Sequence, residues 1–112
     1  MPDRMFGISI ESVTKHTLTV MVVGAKPDGQ QPVRRAHHFR SWDPRTKELV
    51  LQSDVDQRPY LRLIADMFGR DPSRNRLPAC RLIVLDGATN KQLESRVVCK
   101  GDLFEVKIVD LN

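Results

Sequence analysis

The sequence predicts an α+β domain, in which an antiparallel sheet of about six to seven strands carries one helix on one face. Three observations lead to this expectation. Short segments alternate apolar and polar residues with a period of two, which indicates half-buried strands. One longer segment, residues 53–69, has apolar residues at helical spacing. The connections between segments are short, which favours antiparallel pairing and an α+β arrangement.

The first part of the chain predicts four strands. Apolar residues recur at every second position in 6–10 and again in 18–22, and residues 12–16 suit a hairpin connection. Residues 24–32 are rich in Gly and Pro and predict a loop. A third strand is expected over 33–42, a turn at 43–46, and a fourth strand around 49–51.

The predicted helix covers residues 53–69. Asp54 or Asp56 would cap its first turn, because an aspartate side chain accepts hydrogen bonds from free N–H groups there. Pro59 would lie in that first turn, where proline is tolerated. The apolar face would consist of Leu61, Ile64, Ala65 and Phe68, and Gly69 would end the helix.

Three further strands are expected at 80–86, 93–99 and 103–109, which gives four strands, one helix and three strands in chain order. A turn at 87–91 would place Cys80 and Cys99 opposite each other, or nearly so. Such a pair could form a disulfide. Two reduced, buried thiols are the preferred interpretation, since the chain has the composition of a cytoplasmic protein.

Length and composition indicate one globular domain spanning residues 1–112. No apolar segment is long enough for a membrane span, and no signal peptide is evident. We therefore expect a cytoplasmic protein, of a cell or of an infected host cell, with no membrane partner. The chain has 18 basic and 14 acidic residues, a net charge of +4, which permits an acidic partner without requiring one.

No motif for catalysis, metal binding or a cofactor is found, and the sequence therefore predicts a protein that is not an enzyme. The spacing Gly24 to Gly29 lacks the Lys and Ser or Thr of a phosphate-binding loop. His37 and His38 are the best catalytic candidates by residue type. Adjacent side chains on a strand point to opposite faces, so the two cannot serve one metal or one substrate.

The candidate binding site lies on the third strand. Period-two alternation places Arg34, His38, Arg40 and Trp42 on one face, together with Ala36, while Val33 and Phe39 anchor the other face inward. Basic groups beside an aromatic ring suit single-stranded nucleic acid. They also suit a protein interface, where Trp and Arg dominate the binding energy. A charged edge strand that merely prevents aggregation is the third interpretation.

A second basic cluster follows the predicted helix, and consists of Arg70, Arg74 and Arg76. It would extend the binding surface only if the fold brings it beside the first cluster. The leading hypothesis is a small non-enzymatic binding protein that acts on a larger protein partner as inhibitor, accessory subunit or adaptor. A nucleic-acid-binding protein that uses the same basic surface is the first alternative. A self-assembling structural component, such as a phage particle protein, is the second, and a homo-oligomer is compatible with each.

Overall fold

Two four-stranded antiparallel sheets pack against each other around one shared apolar core. The structure is a computed structural model and describes residues 4–24 and 32–108. Sheet 1 consists of β1 (Arg4–Val13), β2 (Thr17–Gly24), β3 (Val33–Arg40) and β8 (Leu103–Ile108), in the order β3-β2-β1-β8. Sheet 2 consists of β4 (Glu48–Gln52), β5 (Pro59–Asp71), β6 (Leu77–Asp86) and β7 (Gln92–Val98), in chain order.

The core is made by the inward-facing half of each alternating strand. In β1 the buried residues are Phe6, Ile8 and Ile10, and in β2 they are Leu18, Val20 and Val22. Sheet 2 faces them with Leu61, Leu63, Leu82 and Val84, all fully buried. Stacking of Phe6 on Tyr60, with ring centroids 5.8 Å apart, joins the two sheets near the start of β1 and β5. The period-two patterns in β1 and β2 therefore predicted the core side of these two strands correctly.

The predicted α+β fold is wrong, because residues 59–71 form strand β5 and not a helix. Leu61, Leu63 and Ala65 point into the core, whereas Ile64 lies on the opposite face of sheet 2. The same segment fits both a helical spacing and a period of two. Pairing with β4 on one side and β6 on the other selects the strand. The helical segments among residues 4–24 and 32–108 are two three-residue 3-10 turns, Pro44–Thr46 and Pro72–Arg74.

The predicted caps of that helix have other roles. Asp56 accepts hydrogen bonds from the backbone N–H and the Nε of Arg58, at 3.1 and 2.6 Å, in the loop before β5. Pro59 is the first residue of β5, a position where a strand tolerates proline. The predicted single sheet of six to seven strands is thus two sheets of four. Most of the predicted loop 24–32, and Val109 of the last predicted strand, lie outside the described residues.

The two cysteines are both free and buried. Cys80 lies opposite Val98 in the β6–β7 ladder, so the register differs by one residue from the predicted alignment with Cys99. Burial raises the pKa of the Cys80 thiol to about 12. Within the described part of the chain, no helix is long and apolar enough to cross a membrane.

Candidate functional site

Strand β3 presents the predicted arginine and histidine side chains on the outer face of sheet 1. Val33 and Phe39 are buried in the core, while Arg34, His38 and Arg40 are exposed. The predicted inward direction of Val33 and Phe39 is confirmed, and the strand ends at Arg40, two residues before the predicted end. β3 is also an edge strand, since β2 is its neighbour and no described strand pairs with its other side. We call the four side chains Arg34, His38, Arg40 and Trp42 the β3 surface.

Trp42 lies just beyond the end of β3 and is 63% exposed. The ring packs edge-on against His16 in the turn between β1 and β2, with centroids 5.8 Å apart. Ser41 holds this turn to the strand end. Its backbone N–H donates to the carbonyl of His16 at 2.8 Å, and its Oγ lies 3.3 Å from the His16 ring Nδ1. Trp42 is therefore both exposed and supported, as an anchor for a binding partner must be.

His38 is held in place by a neighbouring strand. Its ring Nδ1 lies 2.8 Å from Thr19 Oγ1, and Thr19 is its direct partner in the β2–β3 ladder. The remaining ring nitrogen is not used by this hydrogen bond. An imidazole fixed in this way can donate to or accept from a ligand on the outer face with little loss of side-chain entropy.

The arginines of β3 have no carboxylate partner within the described part of the chain. Arg34, Arg35 and Arg40 form no ion pair with any acidic side chain in residues 4–24 or 32–108. Elsewhere in the fold arginines are paired, as in the contact of 2.8 Å between Arg62 and Glu48. The three charges of β3 are thus available to an acidic ligand, and they make this edge of the sandwich locally positive.

The second predicted cluster is only partly available for binding. It lies at the turn between β5 and β6, where Arg74 donates to both carboxylate oxygens of Asp102 at 2.8 and 2.9 Å. A contact of 3.5 Å to Asp71 completes the arrangement, and hydrogen bonding to Asp102 raises the pKa of Arg74. Arg74 therefore joins this turn to the β7–β8 loop, a structural role that the sequence did not predict.

Arg70 and Arg76 remain exposed at this turn. The backbone of Asn75 and Arg76 is left-handed, with φ of 56° and 61°, which closes the turn after the 3-10 segment. Strand directions place this turn at the same end of the sandwich as Trp42. No hydrogen bond or ring contact among the described residues joins the two clusters, so the β3 surface is treated as a separate site.

His37 points to the opposite face from His38, as expected for neighbours on a strand. Its ring packs edge-on against Phe39 with centroids 4.8 Å apart, and its Nε2 is buried without a hydrogen-bond partner. Burial lowers the pKa of His37, and the positive charges of Arg35, His38 and Arg40 lower it further. The described residues contain no group of His, Cys, Asp and Glu side chains placed to hold a metal ion.

A polar cavity of about 280 Å³ opens where the edge of β3 lies near the edge of β4. It is lined by Arg35, Val50, Gln52, Ser53, Asp54 and Gln57. Sequence reasoning did not find this feature, because it combines one residue of β3 with the end of β4 and the loop that follows. The amide groups of Gln52 and Gln57 can hydrogen-bond a polar side chain that approaches from the open edge.

The backbone of β3 is itself a binding feature. Ser41 lies opposite His16, one position beyond the β2–β3 ladder, and its N–H donates to the His16 carbonyl. Along an antiparallel ladder, hydrogen-bonded pairs alternate with pairs whose backbone groups point outward. It follows that the N–H and C=O groups of Arg34, Ala36 and His38 point away from β2. The same groups of Arg40 also point away, and they are bonded to Thr46 Oγ1 and to the N–H of Asp43. An open ladder of three residues therefore remains.

Comparison of the chain with protein-family models, curated proteins and solved structures finds no match.

Proposed function

We propose that this chain is a small non-enzymatic binding protein that acts on a larger protein partner, as an inhibitor, accessory subunit or adaptor, through the β3 surface. The observation that carries the proposal is the position of Trp42. It is 63% exposed, supported by His16, and lies at the end of an edge strand that presents unpaired arginines. Trp and Arg side chains contribute most of the binding energy at protein interfaces.

Several features favour a protein partner over nucleic acid. Trp42 lies at one end of β3, so the outer face lacks the row of aromatic rings on which successive bases stack. Arg74, which sequence reasoning assigned to a basic binding surface, is engaged with Asp102. An open strand edge supplies alternating backbone donors and acceptors, which an extended protein segment can match along its length.

The test compares variants of the β3 surface in capture from a lysate of the source cells. We expect Trp42→Ala and Arg40→Glu each to lose the same captured protein, because each removes a side chain that touches the partner. Lys91→Glu is the matched control, since it makes the same charge change in the exposed turn between β6 and β7. Circular dichroism and thermal melts show whether each variant is folded.

Binding of wild type and all variants is then measured by titration calorimetry with the captured protein after purification. In wild type and Arg40→Glu, Trp42 is the single tryptophan of the chain, so changes in its fluorescence report directly on this site when the partner lacks tryptophan or is labelled as an acceptor. We expect both β3 variants to bind about tenfold more weakly, or worse, at the magnitude of an interface anchor. Equal affinity of wild type, Trp42→Ala and Arg40→Glu would exclude the β3 surface as the binding site.

A nucleic-acid-binding function is the second candidate, supported by the three unpaired arginines of β3. The discriminating measurement is fluorescence polarisation with a labelled single-stranded oligonucleotide of mixed sequence, at about 50 and 200 mM salt. Phosphate contacts release counterions, so real binding would weaken by orders of magnitude at the higher salt. Micromolar binding with this salt dependence, lost in Arg40→Glu and kept in Lys91→Glu, would replace the protein partner by nucleic acid.

A further inference from the structure

We propose that the partner contributes an extended acidic segment that adds to the open edge of β3 as a fifth strand of sheet 1. The inference rests on the proposed function and names the conformation and charge of the segment that the β3 surface receives. It depends on three independent properties of β3, which are its free backbone groups, its unpaired charges and the cavity beside it.

The free backbone groups determine how the segment binds. The N–H and C=O groups of Arg34, Ala36 and His38 point away from β2, and no described residue satisfies them. An extended segment would form hydrogen bonds with these three residues in the way that peptides add to sheet edges. Its side chains opposite Arg34, Ala36 and His38 would lie on the outer face of sheet 1.

The charges determine which segment binds. Arg34 and Arg40 lie on the outer face and Arg35 on the other, so a strand at this edge meets positive charge on both faces. A second copy of β3 paired about Ala36 would set Arg34 opposite His38 and would bring the arginines of both strands together with no acidic residue between them, which is unfavourable. Glutamate or aspartate opposite Arg34 would instead be attracted, with cross-strand Cβ atoms about 5 Å apart. The edge therefore selects an acidic partner and rejects a second β3.

No strand in residues 4–24 or 32–108 pairs with the outer side of β4, but this second edge carries the negative charge of Glu48, which an acidic segment would avoid. The bond from the N–H of Ala65 to the carbonyl of Lys47 continues the β4–β5 register, so the backbone groups of Glu48 and Val50 point away from β5. Glu48 would repel an acidic strand at this edge, and it is already paired with Arg62. β3 is thus the edge to which we assign the segment.

The cavity between these edges receives those side chains of the added segment that point away from the outer face. Alternate side chains of an added strand point toward the sandwich interior, where Arg35 contributes to the polar cavity of about 280 Å³. Gln52 and Gln57 line that cavity with amide groups, and Arg35 and Asp54 carry opposite charges within it. A hydroxyl or amide side chain fits there better than an apolar one. The expected segment therefore alternates acidic residues with small polar residues.

The probe is a short acetylated peptide in which glutamate alternates with threonine, and its charge control alternates lysine with threonine. Binding is followed by amide NMR shifts of the protein and by Trp42 fluorescence. We expect the glutamate peptide to bind and to shift the amides of Arg34, Ala36 and His38. Peptides N-methylated at the glutamates should lose binding, because those N–H groups face β3. Peptides N-methylated at the threonines should keep it, because those groups face away.

Two proline variants test the strand pairing from the protein side. Ala36→Pro removes an N–H that points to solvent, so the edge strand should remain folded while binding falls about tenfold or more. Glu105→Pro is the matched control. The bond from the N–H of Ile10 to the carbonyl of Asp102 places the N–H of Glu105 on the open edge of β8, away from β1. That variant should bind the glutamate peptide as wild type does.

The outcomes separate this inference from the proposed function. Equal binding by wild type and a folded Ala36→Pro overturns strand addition, and equal binding of the lysine peptide overturns the acidic partner. If no peptide binds while Trp42→Ala and Arg40→Glu still lose the captured protein, the inference fails and the proposed function stands. If no peptide binds and those variants capture as wild type does, both fail. Displacement of the peptide by an oligonucleotide with steep salt dependence assigns the edge to nucleic acid.

Discussion

Leu63 of β5 lies directly opposite Val84 of β6, and both side chains are fully buried between the two sheets. The next residue, Ile64, lies on the outer face of sheet 2 and is only half-buried. We therefore expect Leu63→Ala to lower the free energy of unfolding by about 2–5 kcal/mol, the range for a leucine deleted from a packed core. Ile64→Ala should cost clearly less.

Chemical denaturation of the two variants measures this difference. A helix over the same residues would reverse the order, because Ile64 would then share the apolar face with Leu61 and Phe68. A greater loss of stability in Ile64→Ala than in Leu63→Ala would therefore contradict the β5 assignment.

Two glycines should respond in opposite ways to a methyl group. A Cβ at Gly87 would lie 2.7 Å from the backbone N of Leu61 and 2.8 Å from the carbonyl carbons of Pro59 and Tyr60. Backbone atoms cannot move away by a change of rotamer, so we expect Gly87→Ala to lower the free energy of unfolding by about 1–3 kcal/mol, the range for overpacking. A Cβ at Gly69 would have no neighbour within 4 Å.

Gly69→Ala is accordingly the matched control, and thermal melting of both variants is the measurement. We expect the melting temperature of Gly69→Ala to equal or exceed that of wild type, because alanine restricts the unfolded chain more than glycine does. Equal melting temperatures for Gly87→Ala and wild type would show that Gly87 has more space than the structure gives it.

His37 should make the folded state sensitive to mild acid. Its pKa is lowered in the folded protein by burial first and by Arg35, His38 and Arg40 next. The unfolded chain therefore binds a proton more readily than the folded chain. This contribution to stability is fully present above the unfolded pKa of about 6.5 and is lost as the pH falls through the folded pKa.

An NMR titration of the His37 ring should give a pKa below 6.5, and a value above 6.5 would contradict the burial of its Nε2. Replacement by glutamine should reduce the fall in stability between about pH 7 and pH 5, because the titrating group is gone. His38→Gln provides a control at the neighbouring, exposed position.

Both thiols should resist labelling in the folded protein. Cys80 is fully buried and its pKa is raised to about 12, and Cys99 is 3% exposed. Since the thiolate is the reactive form, a disulfide-based thiol reagent near pH 8 should react slowly with native protein. Two thiols should react promptly in denaturant. Fewer than two reactive thiols under non-reducing conditions would indicate a disulfide, which the register of Cys80 opposite Val98 disfavours.

The sequence predicts those parts of the fold that local alternation determines. Strands β1, β2 and β8 each carry a pattern of period two that matches their buried face, and in β3 the buried Val33 and Phe39 fit the same period. Residues 59–71 fit two periods at once, and only their partners β4 and β6 decide between them. Tertiary pairing of this kind overrides local helical spacing, and no feature of the segment alone reports it.

The candidate site likewise combines features that local alternation determines with features that depend on tertiary contacts. The outward direction of Arg34, His38 and Arg40 follows from alternation and is confirmed. The engagement of Arg74 could not be predicted, because Asp102 is 28 residues away and belongs to a different turn. The sequence offers an edge position for β3 only as one of three interpretations. That position follows from β4, which pairs with β5 in sheet 2 instead of continuing sheet 1 beside β3.

That strand order has a consequence during synthesis of the chain. The strands of sheet 2 follow one another from residue 48 to 98, so this sheet can assemble as the ribosome delivers it. Sheet 1 cannot be completed in this way, because β8, which pairs with β1, is synthesised after all seven other strands. Until β8 emerges, the side of β1 that it covers lacks its partner strand. The fold is therefore most vulnerable to misassociation just before residues 103–108 leave the exit tunnel.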